Sequence, residues 1–168
     1  VIYRRQGKPE YAKLGLNIYT GCSHGCKYCY NEWRFRGSWI QPRKAASLNN
    51  IQKDLTELDC AGEKNPVLLS LVGDPYDMAR SDSGYMRSVL KLFRLYDHPF
   101  IILTKGGMLA AKGFDLYGPN DSFGVTLTFD NDEDSKQWEP GAALPADRIA
   151  ALEEAHNRGI HTWVSFEP

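Results

Sequence analysis

Sulfur and unbalanced charge are both scarce in this sequence. There are only four cysteines, and Lys plus Arg (20) nearly cancel Asp plus Glu (21). The near balance advertises no polyanionic partner for the chain as a whole, which leaves only local basic patches to consider. No apolar run approaches the roughly 20 residues that a membrane span needs, and the first residues lack the pattern of a signal peptide. The expectation is therefore a protein of the reducing cytoplasm with no membrane partner. Cys22, Cys26 and Cys29 lie too close together to pair well and Cys60 stands alone, so a disulfide framework is excluded as well. No internal repeat, low-complexity tract or interdomain linker interrupts the 168 residues, a length that suits one domain with a real core.

What is present is concentrated in Gly21-Cys22-Ser23-His24-Gly25-Cys26-Lys27-Tyr28-Cys29-Tyr30. Three thiols spaced C-x3-C-x2-C on one glycine-containing loop can hold three irons of a four-iron cluster and leave the fourth iron open. Around this loop, strand-like and helix-like segments alternate. Leu16–Thr20 reads as a first strand, and residues 1–16 before it as an arm or short hairpin. Asn31–Ala46, with Gly37 and Pro42, reads as an irregular crossing. Ser47 is a candidate N-cap for a helix with Leu48, Ile51, Leu55 and Leu58 on one stripe. Val67–Val72 reads as a buried strand, and residues 84–96 as a helix with Met86, Val89, Leu90 and Phe93 inward. Phe100–Thr104 is a third strand, Met108–Tyr117 a short helix, and Phe123–Phe129 a fourth strand. Asp130–Leu144 reads as a polar loop, its acidic start solvated. Ala146–Arg158 reads as a helix with Ile149, Leu152 and Ala155 inward and Gly159 just past its end. Ile160–Phe166 is a fifth strand.

Such alternation predicts an α/β fold, a parallel sheet or barrel with right-handed crossovers. Functional groups in such folds gather beyond the C-terminal ends of the strands. The cysteine loop, Gly73 and Asp74, Thr104 and Lys105, Thr126, Thr128 and Asp130, and Ser165 and Glu167 all stand at those places. If the five strands are parallel, they share one rim. Because the sequence stops just after the fifth strand, a further segment or a partner chain is expected to complete the barrel.

These residues resemble the radical S-adenosylmethionine (SAM) superfamily and, within it, the spore photoproduct lyase-like branch. The resemblance is carried by Asn17 to Tyr30 (NIYTGCSHGCKYCY), Asp74-Pro75-Tyr76, Leu103-Thr104-Lys105, Glu139-Pro140 with Arg148 downstream, and Ser165-Phe166-Glu167-Pro168. It implies a partial (β/α)6 barrel that here lacks the sixth unit. It also implies a [4Fe–4S] cluster on Cys22, Cys26 and Cys29, with SAM chelating the open iron. Reductive cleavage of SAM then gives methionine and a 5′-deoxyadenosyl radical that abstracts a substrate hydrogen. The electron comes from a donor such as flavodoxin or ferredoxin. Carried over by position, Tyr28 contacts adenine, Gly73 and Asp74 the methionyl amino group, Lys105 the methionyl carboxylate, and Thr128 the ribose or carboxylate. Ser165 is a further cofactor contact. Tyr28 and Tyr30 match tyrosines of the lyase. Leu71 departs from it, standing where that enzyme returns a hydrogen atom from a cysteine. Chemistry other than thymine-dimer repair is therefore expected, on a nucleic acid or another substrate.

Other readings compete with these. A structural zinc site is disfavoured because His24 is close in sequence to the cysteines and Cys60 is single. A chain that binds a cluster or metal without catalysis, awaiting a partner, is the alternative to an enzyme. The competing reading of Lys105 is a solvated loop lysine, that of Asp74 a turn residue, and that of Thr126 and Thr128 strand formers. Cys60 reads as an inert, partly buried thiol. The run Trp33, Arg34, Phe35, Arg36, Trp39, Arg43 and Lys44 reads as a nucleic-acid stacking surface or as a solvated loop with anchoring aromatics.

Overall fold

The computed structural model describes residues 1–34, 44–80 and 83–167. A six-stranded sheet organises them. β1 (Tyr3–Arg4) runs antiparallel to β2 (Leu14–Leu16). β2 then starts a parallel series through β5 (Val67–Leu69), β6 (Phe100–Thr104), β7 (Ser122–Thr126) and β8 (His161–Ser165). A two-stranded ribbon, β3 (Tyr19–Thr20) with β4 (Lys44–Ala45), stands apart. The fold is thus α/β with a mostly parallel sheet.

Several segments sit differently from the sequence expectation. The first parallel strand is Leu14–Leu16, so the N-terminal arm supplies it, and Tyr19–Thr20 belongs to the ribbon instead. β5 ends at Leu69 because Ser70 takes a positive φ of 73°. Its amide still continues the ladder to the carbonyl of Leu16 at 2.7 Å. β7 ends at Thr126, which leaves Thr128 outside the sheet. The acidic start of the expected polar loop caps and opens helix α4 (Asp132–Trp138). The Asn131 side chain accepts from the Asp134 amide at 2.9 Å, and three acidic residues fill the first turn, where the helix dipole favours them.

The longer helices follow the apolar periodicity. α2 (Leu48–Cys60) buries Ile51 and Leu55, although Ser47 sits at its N-cap without a side-chain capping bond. α3 (Ser83–Leu95) buries Met86, Val89, Leu90 and Phe93, the expected stripe. Burying each such side chain stabilises the fold by about 1.5–3 kcal/mol. A 3-10 segment spans Gly107–Leu116. α5 (Pro145–Asn157) is rotated from expectation: Arg148, Ala151 and Ala155 face inward, while Ile149 is 43% exposed. The buried guanidinium of Arg148 claims the inward face and turns Ile149 away. Gly159, at φ 76°, ends the helix with paired bonds from Gly159 to His156 and from Ile160 to Ala155. Cys60, at the end of α2, is exposed rather than partly buried. No helix among the described residues is long and apolar enough to cross a membrane.

Candidate active site

A cavity of about 590 Å³ opens at the C-terminal ends of the parallel strands. It falls within the range of about 300–1,000 Å³ usual for small-molecule sites. Cys22, Cys26 and Cys29 line it, as do Tyr28, Gly73, Asp74, Lys105 and Ser165. Of the rim residues expected from sequence, Thr104, Thr126 and Glu167 are there too, whereas Thr128 and the exposed Asp130 are not.

The cysteine loop is held from outside. Asp77, buried beneath it, accepts from the Ser23 amide at 2.6 Å, from the Ser23 hydroxyl and from the Ala79 amide at 2.9 Å. On the other side the Gly141 amide donates to the carbonyl of His24, and the Lys27 amide to that of Trp138, both at 2.8 Å. Gly73 closes a third side. At φ 119° it lets the β5 loop approach so closely that a Cβ would lie 2.7 Å from the carbonyl oxygen of Gly21 and 3.2 Å from that of Tyr19. Gly73→Ala is expected to destabilise the protein by about 3 kcal/mol, combining backbone strain with the push on Gly21. Urea unfolding of the variant measures the loss.

All three thiols are free of disulfides. Burial, with Asp74 nearby, pushes the Cys22 thiol well above its ordinary pKa, and burial pushes Cys26 up to about 11. Thiols so placed stay protonated at neutral pH unless a metal takes the proton's place. Three soft donors on one wall of a ligand-sized cavity, beside a buried ring nitrogen of His24 that has no partner, suit an iron–sulfur cluster.

Asp74 is a hub rather than a free carboxylate. Its Oδ1 accepts from the Thr104 hydroxyl at 2.5 Å and the Tyr76 amide at 2.8 Å, and its Oδ2 from the Lys105 amide at 2.7 Å. Nδ1 of His24 lies 3.6 Å from that Oδ2. His24 itself corrects the sequence expectation. Its closeness in sequence does not keep it away from Cys22: a ring nitrogen of His24, the Cys22 thiol and a carboxylate oxygen of Asp77 lie within 4.8 Å of one another. The loop folds back on itself, with Gly25 at φ 61°, and so brings them together.

Beneath Tyr28 and Lys105 lies a fully buried ion pair that sequence reasoning did not assign to the site. Arg148 donates from Nη2 to Glu139 at 2.5 Å, from Nε to the Ala143 carbonyl at 2.7 Å and from Nη1 to the Thr126 carbonyl at 2.9 Å. Glu139 also accepts from the Tyr28 hydroxyl and, at 3.2 Å, from Thr128. Burial works to raise the carboxyl's pKa, but the bonds from Arg148 and Tyr28 outweigh it and hold the group below its usual value. Lys105, largely buried, sits with Nζ 3.9 Å from Glu139, 4.0 Å from Glu167 and 5.7 Å from the Tyr28 ring centre, so it is no solvated loop lysine. Thr128, expected to touch ribose or carboxylate, instead supports Tyr28 from behind, while Thr126 takes the cavity wall.

The N-terminal arm contributes to the rim. Tyr11 shares a 3.0 Å hydrogen bond with Ser165 and donates to Glu167 at 3.2 Å. Tyr30 donates to the Leu71 carbonyl at 3.0 Å, which ties helix α1 (Tyr30–Arg34) to the end of β5. Trp33 is 91% exposed, so it anchors nothing. Phe35, Arg36, Trp39 and Arg43 lie outside the described residues, as does the side chain of Lys44.

The comparisons with known proteins agree with this geometry. The Radical SAM superfamily profile matches residues 16–166. An uncharacterized protein of Methanocaldococcus jannaschii is 31% identical over 160 residues, covering 94% of this chain and 60% of the relative. Spore photoproduct lyase complexed with dinucleoside spore photoproduct has a TM-score of 0.79 at 19% identity, over 99% of this chain and 48% of that one. SuiB of Streptococcus suis has a TM-score of 0.65 at 13% identity, over 90% and 32%. The chain thus spans 60% of that archaeal relative and about half of the lyase. With the profile covering nearly the whole chain, the three cysteines included, the chain belongs to the radical SAM superfamily.

Proposed function

We propose that this domain is the radical-generating core of a lyase-like enzyme that acts on an organic substrate by hydrogen abstraction, its parallel strands forming a partial (β/α)6 barrel. Membership of the superfamily brings a [4Fe–4S] cluster and SAM as cofactors. The observation that carries the reading is three free thiols on one wall of a cavity at the C-terminal ends of parallel strands. Cys22, Cys26 and Cys29 hold the cluster. When bound, such a cluster would supply the one-electron reductive cleavage of SAM that powers hydrogen abstraction from the substrate, with 5′-deoxyadenosine as the coproduct.

The protein's own share is positioning. Lys105, held between Glu139 and Glu167, offers an ammonium to the methionyl carboxylate. Asp74 keeps both oxygens engaged by Thr104, Tyr76 and Lys105, so it meets the methionyl amino group with its remaining lone pairs while fixing the two loops. Gly73 meets the methionyl amino group through its backbone, its missing side chain letting the β5 loop close against Gly21. Tyr28, braced by Glu139, presents its ring beside Lys105 for the adenine, and Ser165 completes the far wall. A reductant of the flavodoxin or ferredoxin kind supplies the electron. Leu71 places an aliphatic side chain where the lyase has a hydrogen-donating cysteine. A nucleotide-like substrate, as in the lyase's dinucleoside complex, is therefore processed here without a thiol at that position.

Anaerobic reconstitution with iron and sulfide, reduction with dithionite and addition of SAM test the proposal. The expected result is uptake of about four irons, an EPR signal that changes with SAM, and formation of 5′-deoxyadenosine. Stoichiometric zinc with no iron uptake sinks it.

A further inference from the structure

Lys105 has the burial of a paired ammonium without a direct bond to any partner. Its side chain is 15% exposed. Among the described residues no acceptor lies within hydrogen-bond distance of Nζ: Oε1 of Glu139 stands at 3.9 Å and Oε2 of Glu167 at 4.0 Å. Opposite charges this close draw together into direct contact unless other bonds hold them apart. Glu139 is held on both oxygens, by Arg148 on Oε2 and by Tyr28 and Thr128 on Oε1. Glu167 is held through Oε1 alone, by the Ser165 hydroxyl at 2.8 Å and the Tyr11 hydroxyl at 3.2 Å. Its Oε2, which faces Lys105, has no other partner among the described residues.

Tyr11 reaches this place from the other edge of the sheet. It lies between β1 and β2, whereas Ser165 ends β8, the last strand at the opposite edge. Its ring packs against Trp163 of β8 with centroids 5.2 Å apart, and its hydroxyl shares a 3.0 Å bond with Ser165. The ring alone would serve to strap the arm to β8, so the hydroxyl has a separate task. Burial, with Glu167 close by, pushes the hydroxyl's pKa up and keeps it a donor. Tyr11, Ser165, Glu167 and Lys105 all line the cavity that holds the three thiols.

Resting on the assignment of Lys105 to the methionyl carboxylate above, we infer that Tyr11 is a positioning residue: with Ser165 it holds Glu167 back from Lys105 and so keeps the ammonium open for the carboxylate of SAM. Glu167 is then a competitor of the cofactor for Lys105. The N-terminal arm tunes cofactor affinity through that restraint and needs no contact with SAM itself.

The test is the affinity of the reconstituted holoprotein for SAM, measured by anaerobic equilibrium dialysis on the native protein, Tyr11→Phe, Glu167→Gln and the double variant. Phe keeps the ring against Trp163 and removes only the hydroxyl. Tyr11→Phe is expected to weaken SAM binding about fivefold, the scale of one hydrogen bond, as Glu167 closes on Lys105. Glu167→Gln removes the competing charge and should bind SAM at least as tightly as the native protein. In the double variant the loss should vanish, whereas a merely structural role for Tyr11 would leave it in place. Unchanged affinity in Tyr11→Phe, or a loss that persists in the double variant, overturns the inference and leaves the proposed function standing. Should Tyr11→Phe fail to fold, Glu167→Gln alone decides: equal or tighter binding supports the inference, and weaker binding overturns it. A Lys105→Met protein that binds SAM as well as the native one overturns the assignment of Lys105 and this inference with it. A native protein that takes up no iron overturns the proposed function as a whole.

Discussion

Glu139→Ala is expected to destabilise the domain by about 3–5 kcal/mol, because it leaves the guanidinium of Arg148 buried with no carboxylate to balance it. Arg148 is 0% exposed and Glu139 1%. Two further bonds, to the carbonyls of Ala143 and Thr126, pin the arginine in place, so it cannot swing out to water. The reciprocal Arg148→Ala is expected to be of similar size. A double replacement, Glu139→Leu with Arg148→Met, removes both charges and should recover most of the loss, since well-packed apolar residues replace buried ion pairs at little cost. Chemical denaturation of the native protein, Glu139→Leu, Arg148→Met and the double variant closes the cycle, and near-additive losses in the double variant would refute the coupling. The pair also sets an acid limit. The bonds from Arg148 and Tyr28 hold the folded carboxyl below its ordinary pKa, so its contribution is intact above that ordinary value and is lost as pH falls through the folded pKa. In Glu139→Gln that part of the acid transition should disappear. The same variants loosen the support of Tyr28 and Lys105, so SAM affinity should fall even where the fold survives.

This pair shows where sequence reasoning reached and where it stopped. Periodicity found the longer helices, and for α3 it found the buried stripe residue by residue, because an apolar face repeating at helical spacing has one way to be buried. On α5 it failed: the apolar pattern pointed Ile149 inward, while the helix turned instead to bury Arg148. A charge goes inside only when a specific partner waits there, and Glu139, nine residues away and off the helix, lies outside the helical spacing that periodicity reads. The capped acidic start of α4 was missed for a related reason. Asp and Glu read as solvent residues, yet at a first turn they stabilise the helix dipole.

The rim was legible because it follows from topology. Once the strands are parallel, residues just past their C-terminal ends share one side, and Asp74, Lys105 and Ser165 meet the cysteine loop there. What topology left out is the second layer. Asp77 under Ser23, Glu139 under Tyr28 and Thr128 behind it are contacts between distant segments with no spacing signal of their own. The strand boundary decided between the two threonines. β7 stops at Thr126, so that residue takes the cavity and Thr128 becomes a support. Sequence alternation runs on to Phe129 and could not mark the stop.

Replacing any one of Cys22, Cys26 and Cys29 with alanine is expected to remove the cluster and bring 5′-deoxyadenosine formation to background, whereas Cys60→Ala changes neither. The three thiols line one cavity and Cys60 lies exposed at the far end of α2, so the four cysteines divide into a site and a bystander. The nearby carboxylates offer no substitute. Asp77 is occupied by Ser23 and Ala79, Glu139 by Arg148 and Tyr28, and a carboxylate is in any case a hard ligand for a soft centre. Serine variants should fare little better for the same reason. The apo fold, by contrast, should tolerate these changes. The loop is fastened through Ser23, His24 and Lys27 backbone bonds rather than through the thiols, so unfolding midpoints without metal should stay within about 1 kcal/mol of the native protein. Iron and sulfide content, reduced-state EPR and product formation, measured beside apo-protein denaturation, separate a lost ligand from a lost fold. A Cys26→Ala protein that keeps its full complement of iron and still releases 5′-deoxyadenosine would remove the basis of the proposed function.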